Sequence, residues 1–408
     1  MKCRHCASEL TLPMADLGSS PPSNSYLTEK MLAAPETWYP LRVLVCTTCW
    51  LAQTEDFAKR DEFFSDDYAY FSSFSSSWLS HAKAYVEAMA GRFGLGTDSL
   101  VVEVASNDGY LLQYVLQHGI GALGVEPTKS TADASRAKGI ETIEDFFGVA
   151  LAKRLVAEGR SADLTAANNV LAHVPDINDF VHGFATVLKE NGVSTFEFPH
   201  LMRLMDESQF DTIYHEHYSY LSLTAVQRIF AANGLNVFDV EEVSTHGGSL
   251  RVFAQRSDTG KQPVSDRVAA MLEREQAAGM ATPDYYRTLQ PRAEAIAEEL
   301  VGFLIKAKAE GKTVAGYGAA AKGNTLMNFA GVRSHLLPWV VDRNPAKSGK
   351  FLPGSRIPIY DEERIRAEKP DFVVILPWNL KQEVIGQLSY IREWGGQFVT
   401  AIPSLAVQ

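Results

Sequence analysis

The stretch LVVEVASNDGYLL, residues 100–112, limits the fold more than any other part of the chain. An apolar run from Leu100 to Val102 leads through Glu103 into a turn of small residues: Ala105, Ser106, Asn107, Asp108 and Gly109. Tyr110, Leu111 and Leu112 then open a helical pattern. This pattern predicts a buried strand, a tight turn and a helix. Small residues let a ligand approach the backbone, and a helix start offers free N–H groups. Such a unit belongs to an α/β fold with a doubly wound sheet, where ligands sit beyond the carboxyl ends of the strands.

The segments that follow repeat the theme. Ala122 to Val125 is a short apolar strand ending in Glu126, where a Rossmann-like unit places an acid on ribose hydroxyls. Ile140 to Asp145 is followed by Phe146 and Phe147, a candidate adenine site. The string ADLTAANNVLAHV runs into Asn168 and Asn169. Any α/β sheet with a polar rim offers some of these features, but four strand-end signals in order point to a bound nucleoside. The candidate cofactor contacts are Ala105, Ser106, Asn107, Gly109, Glu126, Asp145, Phe146 and Asn168. The turn holds one glycine and the acid Asp108, which would repel a diphosphate and suit a cation. That favours S-adenosyl-L-methionine, whose sulfonium is a fixed cation.

All four cysteines lie near the start, as two C-x-x-C pairs: Cys3 and Cys6, then Cys46 and Cys49. Two such knuckles complete a tetrahedral zinc site, and four thiolates leave no open position for chemistry. Two disulfides are the alternative, disfavoured in a reducing compartment. The opening MKCRHCASEL has no apolar signal core, and no apolar run is long enough to span a membrane, so a cytoplasmic protein is expected. A net charge of −11 argues against nucleic acid as a partner. After Cys49 comes DEFFSDDYAYFSSFSSSW, either a packed linker or a flap over the cofactor with Tyr68 as its contact.

Two later stretches concentrate polar chemistry. In YHEHYSY, Tyr214, His215, Glu216 and His217 stand together; the string is not H-E-x-x-H, so a zincin reading fails. Read as extended chain, Tyr214 and Glu216 share one face, and His215 and His217 the other. Histidine suits proton transfer near neutral pH. In THGGSLR, His246, Ser249 and Arg251 surround a Gly-Gly turn that suits an anionic ligand or a tight hairpin. Glu197 sits in an apolar context, as a paired core acid or as a group facing the cleft.

Near the C-terminus a second strand–turn–helix appears, TVAGYGAAAKGNTLMNF. Gly316, Gly318 and Ala321 satisfy G-x-G-x-x-A, and the next strand ends at Asp342, later than the usual spacing of about 20 residues. Any diphosphate could use this helix start, with Lys322 and Asn324 as further donors. Trp378 and Asn379, after a later strand, could stack on and hydrogen-bond a base, or cap a sheet edge. A helix from Ile177 to Lys189, ended by Asn191-Gly192, and a strand from Val193 complete the middle of the chain.

The paired C-x-x-C, EVASNDGYLL, GVEPT, NNVLAHVPD, YHEHYSY, THGGSLR, GYGAAAKGN and LPWN together resemble the sugar-nucleotide C-methyltransferases that act on 4-keto deoxysugars. The resemblance implies a zinc-binding module (1–70), a Rossmann-like class I methyltransferase domain (71–260) and a C-terminal Rossmann-like α/β domain that helps hold the sugar nucleotide (261–408). It implies S-adenosyl-L-methionine and structural zinc as cofactors, and a 4-keto sugar nucleotide, dTDP- or GDP-linked, as substrate. Methylation falls on the carbon beside the ketone, with position 3 favoured. Carried over residue by residue, His217 is the general base, Tyr214 and Glu216 belong to the same catalytic motif, and His173 lies near the sugar. Candidate substrate contacts are then His173, Asn169, His246, Arg251, Lys322, Asn324, Trp378 and Asn379. The competing readings are an NAD-dependent sugar-nucleotide oxidoreductase built on Gly316 and Gly318, and a non-catalytic sugar-nucleotide-binding protein.

Overall fold

The computed structural model describes residues 1–57 and 71–408; Tyr68 lies outside the described residues. Leu12–Ser20 (β1), Tyr39–Val45 (β2) and Ala52–Thr54 (β3) form an antiparallel meander. Leu41, Val43 and Val45 are buried while Arg42 between them is exposed, the alternation of a sheet with one dry face. Cys3 and Cys6 precede β1, and Cys46 and Cys49 lie in the turn between β2 and β3.

The helix Ser76–Phe93 follows. Ser75 caps it by accepting the Trp78 N–H, and Gly94 ends it in the left-handed region. Trp78, Ala82, Tyr85, Val86 and Met89 form its buried stripe at helical spacing.

The central sheet is built from Leu100–Val104 (β4), Gly121–Val125 (β5), Glu141–Ile143 (β6), Ala162–Asn168 (β7) and Leu188–Pro199 (β8), all parallel. The short strand Ser219–Tyr220 (β9) leaves this sheet, and Leu235–Val243 (β10) and Ser249–Arg256 (β11) rejoin it as an antiparallel hairpin. The strand order is β10-β11-β8-β7-β4-β5-β6. The helix before β8 spans Ile177–Val187, so Asn191-Gly192 does not end it. Gly192 lies inside β8, where a Cβ would stand 2.7 Å from the Ala162 carbonyl oxygen.

Beyond the helices Asp266–Ala277, Pro283–Arg287 and Leu289–Ala309 comes a third sheet. It uses Val314–Tyr317 (β12), Val340–Val341 (β13), Ile359–Tyr360 (β14), Phe372–Ile375 (β15), Gln397–Thr400 (β16) and Ala406–Val407 (β17). The order is β14-β13-β12-β15-β16-β17, parallel except for β17. Pro291 falls in the first turn of its helix, where no intrahelical N–H is needed. Among the described residues, no helix is long and apolar enough to cross a membrane.

One pairing joins the modules. β9, just after the Tyr-His-Glu-His stretch, completes the first sheet in the order β1-β2-β3-β9, with Ala52 opposite Tyr220 and Gln53 opposite Ser219.

Candidate active site

β4 lies between β5 and β7, with Val104 opposite Val125 and Glu103 opposite Ala166. The chain builds outward to β5 on one side and resumes at β7 on the other, so the turn after β4 opens at the topological switch point. Ala105, Asn107 and Gly109 have φ of 56°, 48° and 75°. Left-handed backbone costs a non-glycine residue roughly 1–2 kcal/mol, a strain common at ligand sites. At Gly109 a side chain is disfavoured both by the φ of 75° and because its Cβ would lie 2.4 Å from Ile140 Cδ1 and 2.9 Å from Ser135 Oγ. Glu126 closes the crevice at the end of β5. Its two carboxylate oxygens accept the N–H groups of Asn107 (3.0 Å) and Thr128 (2.9 Å). Burial raises its pKa, and these bonds pull it back. Asn168 ends β7 beside Tyr110. A tight turn in left-handed backbone, an acid after the second strand and an amide after β7 fit a nucleoside-bearing cofactor.

Parts of the expected cofactor set are corrected. Asp108 does not await a cation: Lys138 Nζ donates to its carbonyl oxygen at 2.6 Å and to Oδ2 at 3.2 Å. Ser106 is fully buried and turns its hydroxyl toward β5, 2.5 Å from where a Gly124 Cβ would stand, while its backbone groups bond Val125 and Gly109. Asp145 is exposed, accepts the Phe146 N–H and pairs with Arg154 at 3.5 Å. Phe146 is half-buried at the rim, whereas Phe147 packs into the core against Phe180 and Phe184.

The Tyr-His-Glu-His stretch is not extended. The His217 N–H donates to the Tyr214 carbonyl at 2.9 Å, closing a turn over His215 and Glu216. The turn puts Tyr214 and His217 on the same side, with ring centroids 3.9 Å apart, against the alternation expected of a strand. The His173 ring meets His217 edge-on at 4.6 Å. His217 Nδ1 lies 2.8 Å from the Thr212 carbonyl oxygen. A carbonyl only accepts, so Nδ1 carries the proton and Nε2 the lone pair. Burial holds the imidazole pKa well below its ordinary value, and the cations His173, Lys322 and His246 add to this when charged. His173 and His246 are likewise pushed down to about 4.

The neighbours of this cluster come from all three modules. Asn24 Nδ2 donates to both Glu216 oxygens, at 2.9 and 2.8 Å, and burial pushes the Glu216 carboxyl up to about 7. Thr54 Oγ1 donates to the His217 carbonyl at 2.9 Å. His215 Nε2 points away, toward the carbonyls of Tyr39 and Pro40. From the C-terminal sheet side, Lys322 Nζ lies 3.5 Å from the His246 carbonyl and 4.6 Å from the Trp378 ring centre. Asn24 and Thr54 were not foreseen; Asn24 sits in a Pro/Ser/Asn loop with no local signal for a distant carboxylate.

Three expected substrate contacts are ruled out by their partners. Arg251 stands opposite Glu197 on one side and Glu241 on the other. Its Nε and Nη2 reach Glu197 at 2.8 and 2.6 Å and its Nη1 reaches Glu241 at 3.0 Å, so the fork has no face for an anionic ligand. His81 Nε2 completes the Glu197 site at 2.8 Å, making Glu197 a paired core acid. Asn324 is fully buried, and its amide donates to the Ser23 carbonyl at 2.6 Å rather than to phosphate. Trp378 does not present a face to a base. Its Nε1 donates to Asp211 at 2.7 Å, its ring edge packs on Gly247, and its face carries Lys322. Asn379 is half-buried beside it, and Asn169, with φ of 54°, donates its N–H to the Glu197 carbonyl. His246 remains at the crevice, its ring edge-on to Trp78 at 5.0 Å.

The second Rossmann-like turn is closed from within. Asp342 accepts the N–H groups of Ala319 and Asn344, each at 2.8 Å, and pairs with Lys347 at 3.3 Å. Tyr26 Oη donates to the Ala319 carbonyl at 2.5 Å. Asp342 differs from Glu126 in that Lys347 also pairs with it, so its charge is already met within the loop. A cleft of about 740 Å³ opens elsewhere, at the amino-terminal ends of β7 and β8 among Arg92, Asp163, Lys189 and Arg256, the wrong end of the sheet for this chemistry.

The four cysteine sulfurs lie within 4.8 Å of one another, with Cys3 to Cys49 and Cys6 to Cys46 at 3.5 Å. These are too far apart for disulfides and fit a tetrahedron around zinc with Zn–S bonds of about 2.3 Å. Gln53 Nε2 donates to Cys3 Sγ at 3.3 Å, the kind of outer contact that orients a thiolate ligand.

Three family models match this chain. Residues 3–64 match a zinc binding domain, 79–240 a methyltransferase domain, and 244–403 the C-methyltransferase C-terminal domain. C-methyltransferase NovU of Streptomyces niveus is 35% identical over 402 residues, 98% of this chain and 95% of NovU. Among solved structures, magnesium protoporphyrin IX methyltransferase of Synechocystis with bound SAM is 16% identical, with TM-score 0.33 over 44% of this chain and 78% of that one. An S-adenosylmethionine-dependent methyltransferase of Clostridium acetobutylicum is 12% identical, with TM-score 0.36 over 45% of this chain and 92% of that one.

Proposed function

The chain belongs to the family of S-adenosylmethionine-dependent C-methyltransferases, and we propose that its acceptor is the carbon beside the ketone of a 4-keto deoxysugar nucleotide, with position 3 favoured. The observation that carries this reading is the fixed tautomer of His217. A C–H beside a ketone is acidic enough for a neutral imidazole to remove its proton. His217 is buried, neutral at pH 7 and held through Nδ1 by Thr212, so Nε2 is the base. Tyr214, packed on the same ring, orients the sugar, and His173 borders it.

The remaining residues divide between the two ligands. The turn from Ala105 to Gly109, Glu126 and Asn168 hold the methyl donor, with Glu126 directed at its ribose. When bound, that donor supplies an electrophilic methyl group on a sulfonium. Enclosure by the zinc module, the central sheet and the helix Ala321–Phe329 keeps water from the reacting carbon and holds it in line for attack.

The test is turnover of synthetic 4-keto-6-deoxyhexoses carried on dTDP and on GDP. One of them should yield a product with a new carbon–carbon bond. A methyl group found on oxygen, or no transfer to either nucleotide sugar, contradicts the reading.

A further inference from the structure

Lys322 is the second residue of the helix Ala321–Phe329, at the mouth of the second Rossmann-like turn. That address suggests a phosphate ligand, but the side chain goes elsewhere. Its Nζ lies over the Trp378 ring at 4.6 Å, with the His246 carbonyl at 3.5 Å. Trp378 is pinned in turn by its bond to Asp211, which belongs to the turn Phe210–Thr212. Thr212 of that same turn holds His217. One short turn therefore fixes both the imidazole and the ring under the ammonium. Among the described residues, no carboxylate comes within ion-pairing distance of Lys322; Asp211 acts on it only from further off.

A half-buried cation with no ion-pair partner among the described residues, near His217 and His246 held neutral, is costly to the fold. Such a charge is repaid when negative charge develops next to it. Proton removal beside a ketone creates that charge on the carbonyl oxygen, a few ångströms from the base.

Resting on the function proposed above, we propose that Lys322 is a catalytic residue that stabilises the enolate oxygen of the substrate. The C–H electron pair becomes the carbon–carbon double bond, the carbonyl π pair moves to oxygen, and the proton goes to His217 Nε2. The Lys322 ammonium donates a hydrogen bond to that oxygen. On methyl transfer the carbonyl re-forms, the donor leaves as a neutral thioether, and His217 returns its proton to solvent. Burial keeps His217 unprotonated before the step, and the same cation adds to this by its repulsion.

The experiment separates this role from phosphate binding. Lys322→Met and Lys322→Arg are compared with wild type in two measurements: affinity for dTDP and for GDP without sugar, and deuterium wash-in at the carbon beside the ketone. Wash-in is read at saturating keto-sugar nucleotide, with S-adenosylhomocysteine in place of the donor. Lys322→Met should bind the nucleoside diphosphate within about threefold of wild type and lose about 10²–10³-fold in saturated wash-in. Lys322→Arg should recover part of that loss. A tenfold weaker nucleoside diphosphate with unchanged saturated wash-in overturns the proposal and makes Lys322 a phosphate ligand. If Lys322→Met no longer binds S-adenosylhomocysteine, and so is misfolded, Lys322→Gln takes its place with the same readouts. Failure of the underlying function shows instead in wild type, as no wash-in and no methyl transfer with either nucleotide sugar.

Discussion

The side-chain amide of Asn24 donates to both carboxylate oxygens of Glu216, at 2.9 and 2.8 Å. The two residues belong to different modules, one to the loop after β1 and the other to the turn that carries His217. The zinc module therefore forms one wall of the catalytic turn, through Asn24 on Glu216, Thr54 on the His217 carbonyl and β3 on β9. Asn24→Ala leaves a buried carboxyl without its donor. A loss of about 1–3 kcal/mol is expected in denaturant unfolding. Turnover of the folded protein should fall as well, and an unchanged rate would remove Asn24 from the account.

Zinc should be present at about one ion per chain by elemental analysis. Cys46→Ser should lower the melting temperature and reduce bound zinc. Because β3 pairs with β9 directly after the histidine turn, stripping the metal with a chelator should also slow methyl transfer before the central sheet unfolds. Full activity in metal-free, folded protein would sink the structural assignment.

How much of this was legible in the sequence depends on the distance over which each feature is determined. The zinc knuckles and the turn after β4 are set by neighbours within a few residues, so spacing alone exposes them. The turn at Tyr214–His217 looks extended in sequence because its closing bond, His217 N–H to Tyr214 carbonyl, leaves no compositional mark. Arg251 invited an anionic ligand until the sheet register placed Glu197 and Glu241 opposite it. Register depends on the partners of β11, which no local pattern reveals. Trp378 and Asp211, and Asn24 and Glu216, are pairs from opposite parts of the chain that only the docking of modules brings together.

Glu275 is a second long-range feature with no local sign. Fully buried, it accepts His200 Nε2 at 2.7 Å, the N–H groups of Leu223 and Thr224 at 2.6 and 2.8 Å, and Thr224 Oγ1 at 2.6 Å. It thereby anchors the start of the helix Leu223–Ala232. Glu275→Ala removes all four bonds and leaves His200 buried alone, at a cost of about 3–5 kcal/mol in urea unfolding. Destabilisation below about 1 kcal/mol would mean the helix start is held by something else.

The pH dependence of stability carries a signature of the buried histidines. His173, with its pKa pushed from 6.5 down to about 4, refuses a proton that the unfolded chain takes up below about pH 6.5. The unfolded state then binds more protons, so this contribution to stability is complete above pH 6.5 and is lost as pH falls toward 4. Glu216, raised to about 7, acts in the opposite sense: its contribution is present below 4.5 and lost as pH rises through 7. On acidification from pH 7 to 5, His173→Asn should therefore lose about 2 kcal/mol less stability than wild type. Parallel curves for the two proteins would show that His173 is not held neutral.

His217 acts as the base in the proposed reaction, and proton exchange reads that role without methyl transfer. The measurement is deuterium wash-in at the carbon beside the ketone, with S-adenosylhomocysteine bound and no methyl transfer possible. Wild type should exchange that proton. His217→Asn should bind both ligands as wild type does and lose about 10²–10⁴-fold in exchange. Exchange at the wild-type rate in His217→Asn would contradict the account and move the role to His173 or another neighbour of the site.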